Sequence, residues 1–147
     1  MVRTQESSPD TSGSNTCRRR ILLVEDEAIL AEMTRRLLLR WGYDVVAVVS
    51  SGESAVEQAR ATAPDLIVMD IRLSGSMDGF EAAQRISAER LTTILFTTGY
   101  SDETTEEALD ETEGIYASLS KPIPPPALRA AVISLLDRAA ENGEGAG

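Results

Sequence analysis

A chain of 147 residues has the length of one domain and is long enough to bury a hydrophobic core. Its 24 acidic residues against 14 basic ones give a formal net charge of −10, which argues against nucleic acid or an anionic membrane as a partner. With no histidine, one cysteine (Cys17) and no apolar stretch long enough for a bilayer, the chain lacks a Ser-His-Asp or Cys-His pair, a histidine zinc ligand, an internal disulfide and a membrane span.

Residues 1–17 are rich in Ser, Thr, Gly, Asn and Pro, so they are read as a disordered leader. Nothing there resembles a signal peptide, and a cytoplasmic protein is expected. Residues 18–140 then alternate between short β-rich runs and helical patterns. Strands are expected at 21–25, 44–49, 65–70, 92–97 and 115–119, and helices at 27–41, 51–62, 79–90, 102–111 and 125–140. In the first helix Leu30, Met33 and Leu37 fall on one face; in the last, Leu128, Val132, Leu135 and Leu136 do. Gly42 ends the first helix and Pro64 stops the second, while Pro124, Pro125 and Pro126 allow the last to begin only at its first turn. Residues 141–147 are read as a flexible C-terminal tail, and no room after Ala140 is expected to hold an output domain. Five strands alternating with five helices imply an α/β fold: a doubly wound parallel sheet of order 2-1-3-4-5, with right-handed crossovers and helices on both faces.

In such sheets the ligand site lies beyond the carboxyl ends of the strands, where strand order reverses. Here that point falls between the first strand, which leads into Glu25 and Asp26, and the third, which ends in Asp70. The fourth ends in the hydroxyls of Thr97 and Thr98. The fifth leads to Lys121, the one lysine in a chain that otherwise carries positive charge on thirteen arginines. An ammonium is a compact point charge suited to a single phosphate oxygen, whereas the arginine fork suits bidentate pairing. Acids at this edge would repel a bare phosphate; a hard dication such as Mg2+ relieves the conflict by taking carboxylate oxygens and accepting phosphate oxygens on its open side. Any one of these acids alone reads as a helix cap or a capped turn. Together they describe a metal-dependent phosphoryl-acceptor site.

Glu25, Asp26, Asp70, Thr98 and Lys121-Pro122, each after an apolar strand-like run, resemble the receiver domain of two-component response regulators, of the stand-alone, single-domain type, across roughly residues 18–140. The resemblance implies the flavodoxin-like receiver fold, and a phosphoacceptor rather than an enzyme with a substrate of its own. Asp70 would take a phosphoryl group from a histidine kinase or histidine phosphotransfer protein. Asp26 and Asp70 would hold Mg2+ directly, Glu25 largely through water, and Arg72 by its backbone carbonyl. Lys121 and the Thr98 hydroxyl would bind phosphoryl oxygens, Lys121-Pro122 would be cis, and Arg72 and Tyr100 would flank the path of the hydrolytic water. Output would pass to a downstream target protein by contact, or onward by phosphorelay.

Three features depart from the family pattern or add to it. The loop from Asp70 to Asp78-Gly79 is one residue longer than the commonest receiver spacing, with Gly75 able to absorb the bend. Receivers often carry an aromatic three residues before the lysine, where this chain has Ser118; Tyr116, two residues earlier on the same side, and Tyr100 are the alternatives. The stretch 91–120 carries seven acids and no base, as a solvated face or a surface for a basic partner. Trp41 and Tyr43 are read as packing around Gly42. Rival readings are a Mg2+-dependent phosphohydrolase with an aspartyl nucleophile, for which the chain has no residues to build a cap, and a flavodoxin-like cofactor binder, for which it lacks a phosphate loop.

Overall fold

Apolar runs with both faces covered make buried parallel strands, and three of this chain's five strands (Arg20–Val24, Leu66–Asp70 and Ile94–Thr98) are of that kind, while the two at the sheet edges are only partly buried. The computed structural model describes residues 18–99 and 114–146. In chain order they form β1 (Arg20–Val24), α1 (Ala28–Arg40), β2 (Asp44–Val49), α2 (Gly52–Thr62), β3 (Leu66–Asp70), α3 (Gly79–Glu89), β4 (Ile94–Thr98), β5 (Tyr116–Ser120) and α4 (Pro125–Ala146). The expected helix at 102–111, Tyr100 and residues 1–17 lie outside the described residues, as do all seven acids of the stretch 91–120. All strand pairs are parallel, and the order is β2-β1-β3-β4-β5, as the alternation of elements implied.

Strand alternation divides the core in two. Leu22, Val24, Ile67, Met69, Ile94 and Phe96 face α2 and α3; Ile21, Leu23, Leu66, Val68 and Leu95 face α1 and α4. On α4 the expected stripe Leu128, Val132, Leu135 and Leu136 is buried. Tyr43 and Trp41 pack against the same layer, with the Arg129 guanidinium 5.7 Å from the Trp41 ring centre.

Two expectations change. The buried residues of α1 are Ala31 and Leu38, with Leu37 half-buried, whereas Met33 is 56% exposed and Ile29 76% exposed. Apolar residues fill more than one side of this helix, so spacing alone did not single out the inward stripe. The last helix also continues through 141–146, which the sequence assigned to a tail. Once a helix is nucleated each further residue adds a hydrogen bond, and that outweighs the poor propensity of Asn142 and Gly143 over so short a run.

The punctuation works as expected. Gly42 adopts φ 96° after α1 and Gly75 φ 94° in the lengthened β3–α3 loop, a region in which a side chain is disfavoured. Ala63 ends α2 at φ 45°, since Pro64 behind it excludes a further helical residue.

Candidate functional site

Strand register brings the polar groups to one edge. Val24 pairs with Met69, Asp70 with Thr97 and Thr98 with Ser120, so Glu25, Asp70, Thr98 and Lys121 all emerge at the carboxyl ends of adjacent strands. The Lys121 backbone N–H donates to the Thr98 carbonyl at 2.7 Å, and Lys121-Pro122 is cis.

Glu25 is 7% exposed and Asp70 3% exposed. Between them stands the Lys121 ammonium, which donates to Glu25 Oε1 at 2.9 Å and to Asp70 Oδ2 at 3.1 Å. The remaining carboxylate oxygens are held by backbone: the Glu27 N–H donates to Glu25 Oε2 at 3.1 Å and the Arg72 N–H to Asp70 Oδ1 at 3.2 Å. Asp26 is exposed, and its Oδ2 accepts from the Ser74 hydroxyl at 3.0 Å. Helix capping does not account for this set, because Glu27, the residue at the N-cap of α1, makes no side-chain cap hydrogen bond. Thr97 and Thr98 are both buried, and alternation puts Thr98 on the side of Phe96.

Burial beside a second carboxylate disfavours the ionised form of Asp70. Burial first, and the neighbouring Glu25 carboxylate second, push the Asp70 carboxyl up from 3.8 to about 6, against the opposing pull of the Lys121 hydrogen bond. Burial pulls the Lys121 ammonium down, but its hydrogen bonds to Glu25 and Asp70 outweigh that and hold it above the ordinary lysine value.

Carboxylate oxygens of Glu25, Asp26 and Asp70 lie within 4.8 Å of one another. Three hard, anionic donors at that spacing, already drawing a lysine into their midst, suit Mg2+ far better than a soft metal. Sequence had singled out all three, together with Thr98 and Lys121; it had not singled out Ser74, whose only trace in the sequence is the extra length of its loop.

Phe96 packs between Phe80 of α3, with ring centres 5.2 Å apart, and Tyr116 of β5, at 6.4 Å edge to face. Ser118 is exposed, and Tyr116 lies on the same side of β5 but two residues farther from Lys121.

The backbone carrying Asp70 has a tight neighbour in Gly79, whose N–H donates to the Ile71 carbonyl at 2.8 Å. A Cβ built there would overlap the Asp70 carbonyl oxygen and approach the Ile71 Cα to 2.8 Å. Because backbone yields poorly, Gly79→Ala should lower stability by about 1–3 kcal/mol. Urea unfolding checks this, and a wild-type midpoint in the variant would show that the loop gives way freely.

Comparison with known proteins gives a consistent result. The response regulator receiver domain model matches residues 21–133. Among curated proteins, the chain is 34% identical over 117 residues to the transcriptional regulatory protein PdtaR of Mycobacterium tuberculosis, covering 79% of this chain and 56% of that protein. It is 32% identical over 120 residues to the alkaline phosphatase synthesis transcriptional regulatory protein PhoP of Bacillus subtilis, covering 82% and 49%. The chain thus spans about half the length of these curated relatives. Among solved structures, the signal receiver domain of a modulated diguanylate cyclase from Desulfovibrio desulfuricans superposes with a TM-score of 0.78 at 30% identity, covering 86% of this chain and 99% of that one. A LuxR-family two-component response regulator from Aurantimonas does so with a TM-score of 0.75 at 32% identity, covering 82% and 86%.

Proposed function

Because the chain belongs to the response regulator receiver domain family, we propose that it takes a phosphoryl group onto Asp70 from a histidine kinase or histidine phosphotransfer protein. The observation that carries this reading is the Lys121 ammonium shared between Glu25 and Asp70 beside a three-carboxylate cluster. That arrangement poises an aspartate nucleophile among groups able to neutralise phosphoryl charge.

Asp26 and Asp70 would hold Mg2+ directly, Glu25 largely through water, and Arg72 by its backbone carbonyl. When bound, the ion neutralises charge on the phosphoryl oxygens and orients them for in-line transfer. One Asp70 oxygen attacks phosphorus as the bond to the donor nitrogen breaks, leaving an aspartyl phosphate. Its other oxygen is steadied by the Arg72 N–H. Lys121 moves from carboxylate to phosphoryl oxygen as the Asp70 charge is consumed, and the Thr98 hydroxyl supplies a further donor. The product signals through contact with a downstream target protein or by phosphorelay, and the chain's own catalysis is confined to gaining and losing its phosphoryl group. Among the described residues no helix is long and apolar enough to cross a membrane.

Acetyl phosphate with Mg2+ should add one phosphoryl group to the purified chain, as read by intact mass, and EDTA should abolish the gain. No adduct in the presence of Mg2+ would overturn the reading.

A further inference from the structure

Asp26 is the exposed member of the metal-binding trio, and an exposed carboxylate on a loop samples several rotamers unless something holds it. Ser74 does so here, with its hydroxyl 3.0 Å from Asp26 Oδ2. Between two exposed side chains such a bond is ordinarily worth little, because water competes for both groups. What changes its weight is the fixation of Ser74 itself. Its backbone makes a parallel β-bridge with Ser51, the residue whose side chain caps α2 by accepting from the Ser54 N–H at 3.1 Å. The next residue, Gly75, turns the chain at φ 94°, and the Ser76 hydroxyl donates to Glu53 Oε2 at 3.1 Å. Met77 then packs so closely on Gly52 that a Cβ there would lie 2.9 Å from it. The lengthened β3–α3 loop is therefore strapped along the first turn of α2, and the strap presents one hydroxyl to one oxygen of a cation ligand.

We propose that Ser74 is a positioning residue for the divalent cation: by holding Oδ2 of Asp26 it restricts the orientations the carboxylate samples, and so sets cation affinity without touching the ion. This inference rests on the functional reading above. Partners of this kind behind a metal ligand typically change affinity 10–100-fold, and the exposure of Asp26 places the effect near the lower figure.

Isothermal titration of the full chain with Mg2+ tests it. Ser74→Ala should raise the Kd about tenfold, with an unchanged melting temperature in EDTA, and Ser74→Thr, which keeps the hydroxyl, should recover most of the loss. Ser76→Ala loosens the strap but leaves the Ser74 hydroxyl, and should cost clearly less. Equal Kd values for wild type and Ser74→Ala overturn the inference, as does an equal loss in Ser76→Ala and Ser74→Ala, which would mark a general loop effect. A wild-type chain that binds no Mg2+ overturns the functional reading and this one together.

Discussion

Replacing Asp70 with Asn should abolish phosphoryl uptake from acetyl phosphate while making the metal-free protein more stable. The first effect follows from loss of the nucleophilic oxygen. The second follows from the raised pKa. A group whose folded value, about 6, exceeds its ordinary 3.8 favours the fold when protonated; its contribution is fully present below pH 4 and is lost as pH rises through 6. At pH 8 wild type therefore carries a penalty of up to about 3 kcal/mol that a neutral Asn does not. Urea unfolding in EDTA at pH 8 should show the variant ahead, and the gap should close at pH 4, where Asp70 is protonated in the fold. A variant less stable than wild type at pH 8 would mean that the Lys121–Asp70 contact outweighs the cost of burial. Phosphorylation of the variant at the wild-type rate would remove Asp70 from its role.

Lys121→Met should do the opposite to stability and the same to function. The methionine keeps the apolar stem but leaves Glu25 and Asp70 facing each other without their shared cation. Removing one partner from a largely buried pair is costly; here Asp70 limits the damage by taking up a proton, and about 1–3 kcal/mol should be lost at pH 8. In an Asp70→Asn background the same substitution should cost less than half as much, giving a coupling of about 1 kcal/mol in a double-mutant cycle. Phosphoryl uptake should fall at least about a hundredfold, the scale of losing one preorganised donor to developing charge. Additive stability changes would show that Lys121 and Asp70 do not sense each other, and a near-normal labelling rate would show that the ammonium is not used.

The sequence made the strand ends legible because strands buried on both faces are continuous apolar runs, and the first polar residue after such a run marks an edge. That logic located Glu25, Asp26 and Asp70 and, with β4 ending at Thr98, its hydroxyl; Lys121 follows a partly buried edge strand and stands out instead as the one lysine of the chain. It failed where apolarity carries no direction: Met33 is as apolar as Leu38, yet Met33 faces outward and Leu38 is fully buried. Ser74 was not legible, because its contact with Asp26 spans 48 residues of chain and depends on how the lengthened loop lies on α2. Gly75 was, because its positive φ is a local property of the turn.

The strand order also dictates when the site is completed during folding. β2 adds to one side of β1, and then β3, β4 and β5 add in turn to the other, so no strand must be inserted between two already paired. A chain emerging from its N-terminus can build this sheet outward in the order of synthesis. The two buried carboxylates come together as soon as β3 docks on β1, but their cation arrives only after β5, 51 residues beyond Asp70. A partly built sheet that has β3 but lacks β5 therefore holds an acid pair that protons or a dication must shield, and the last strand is locked in by the same charge it neutralises.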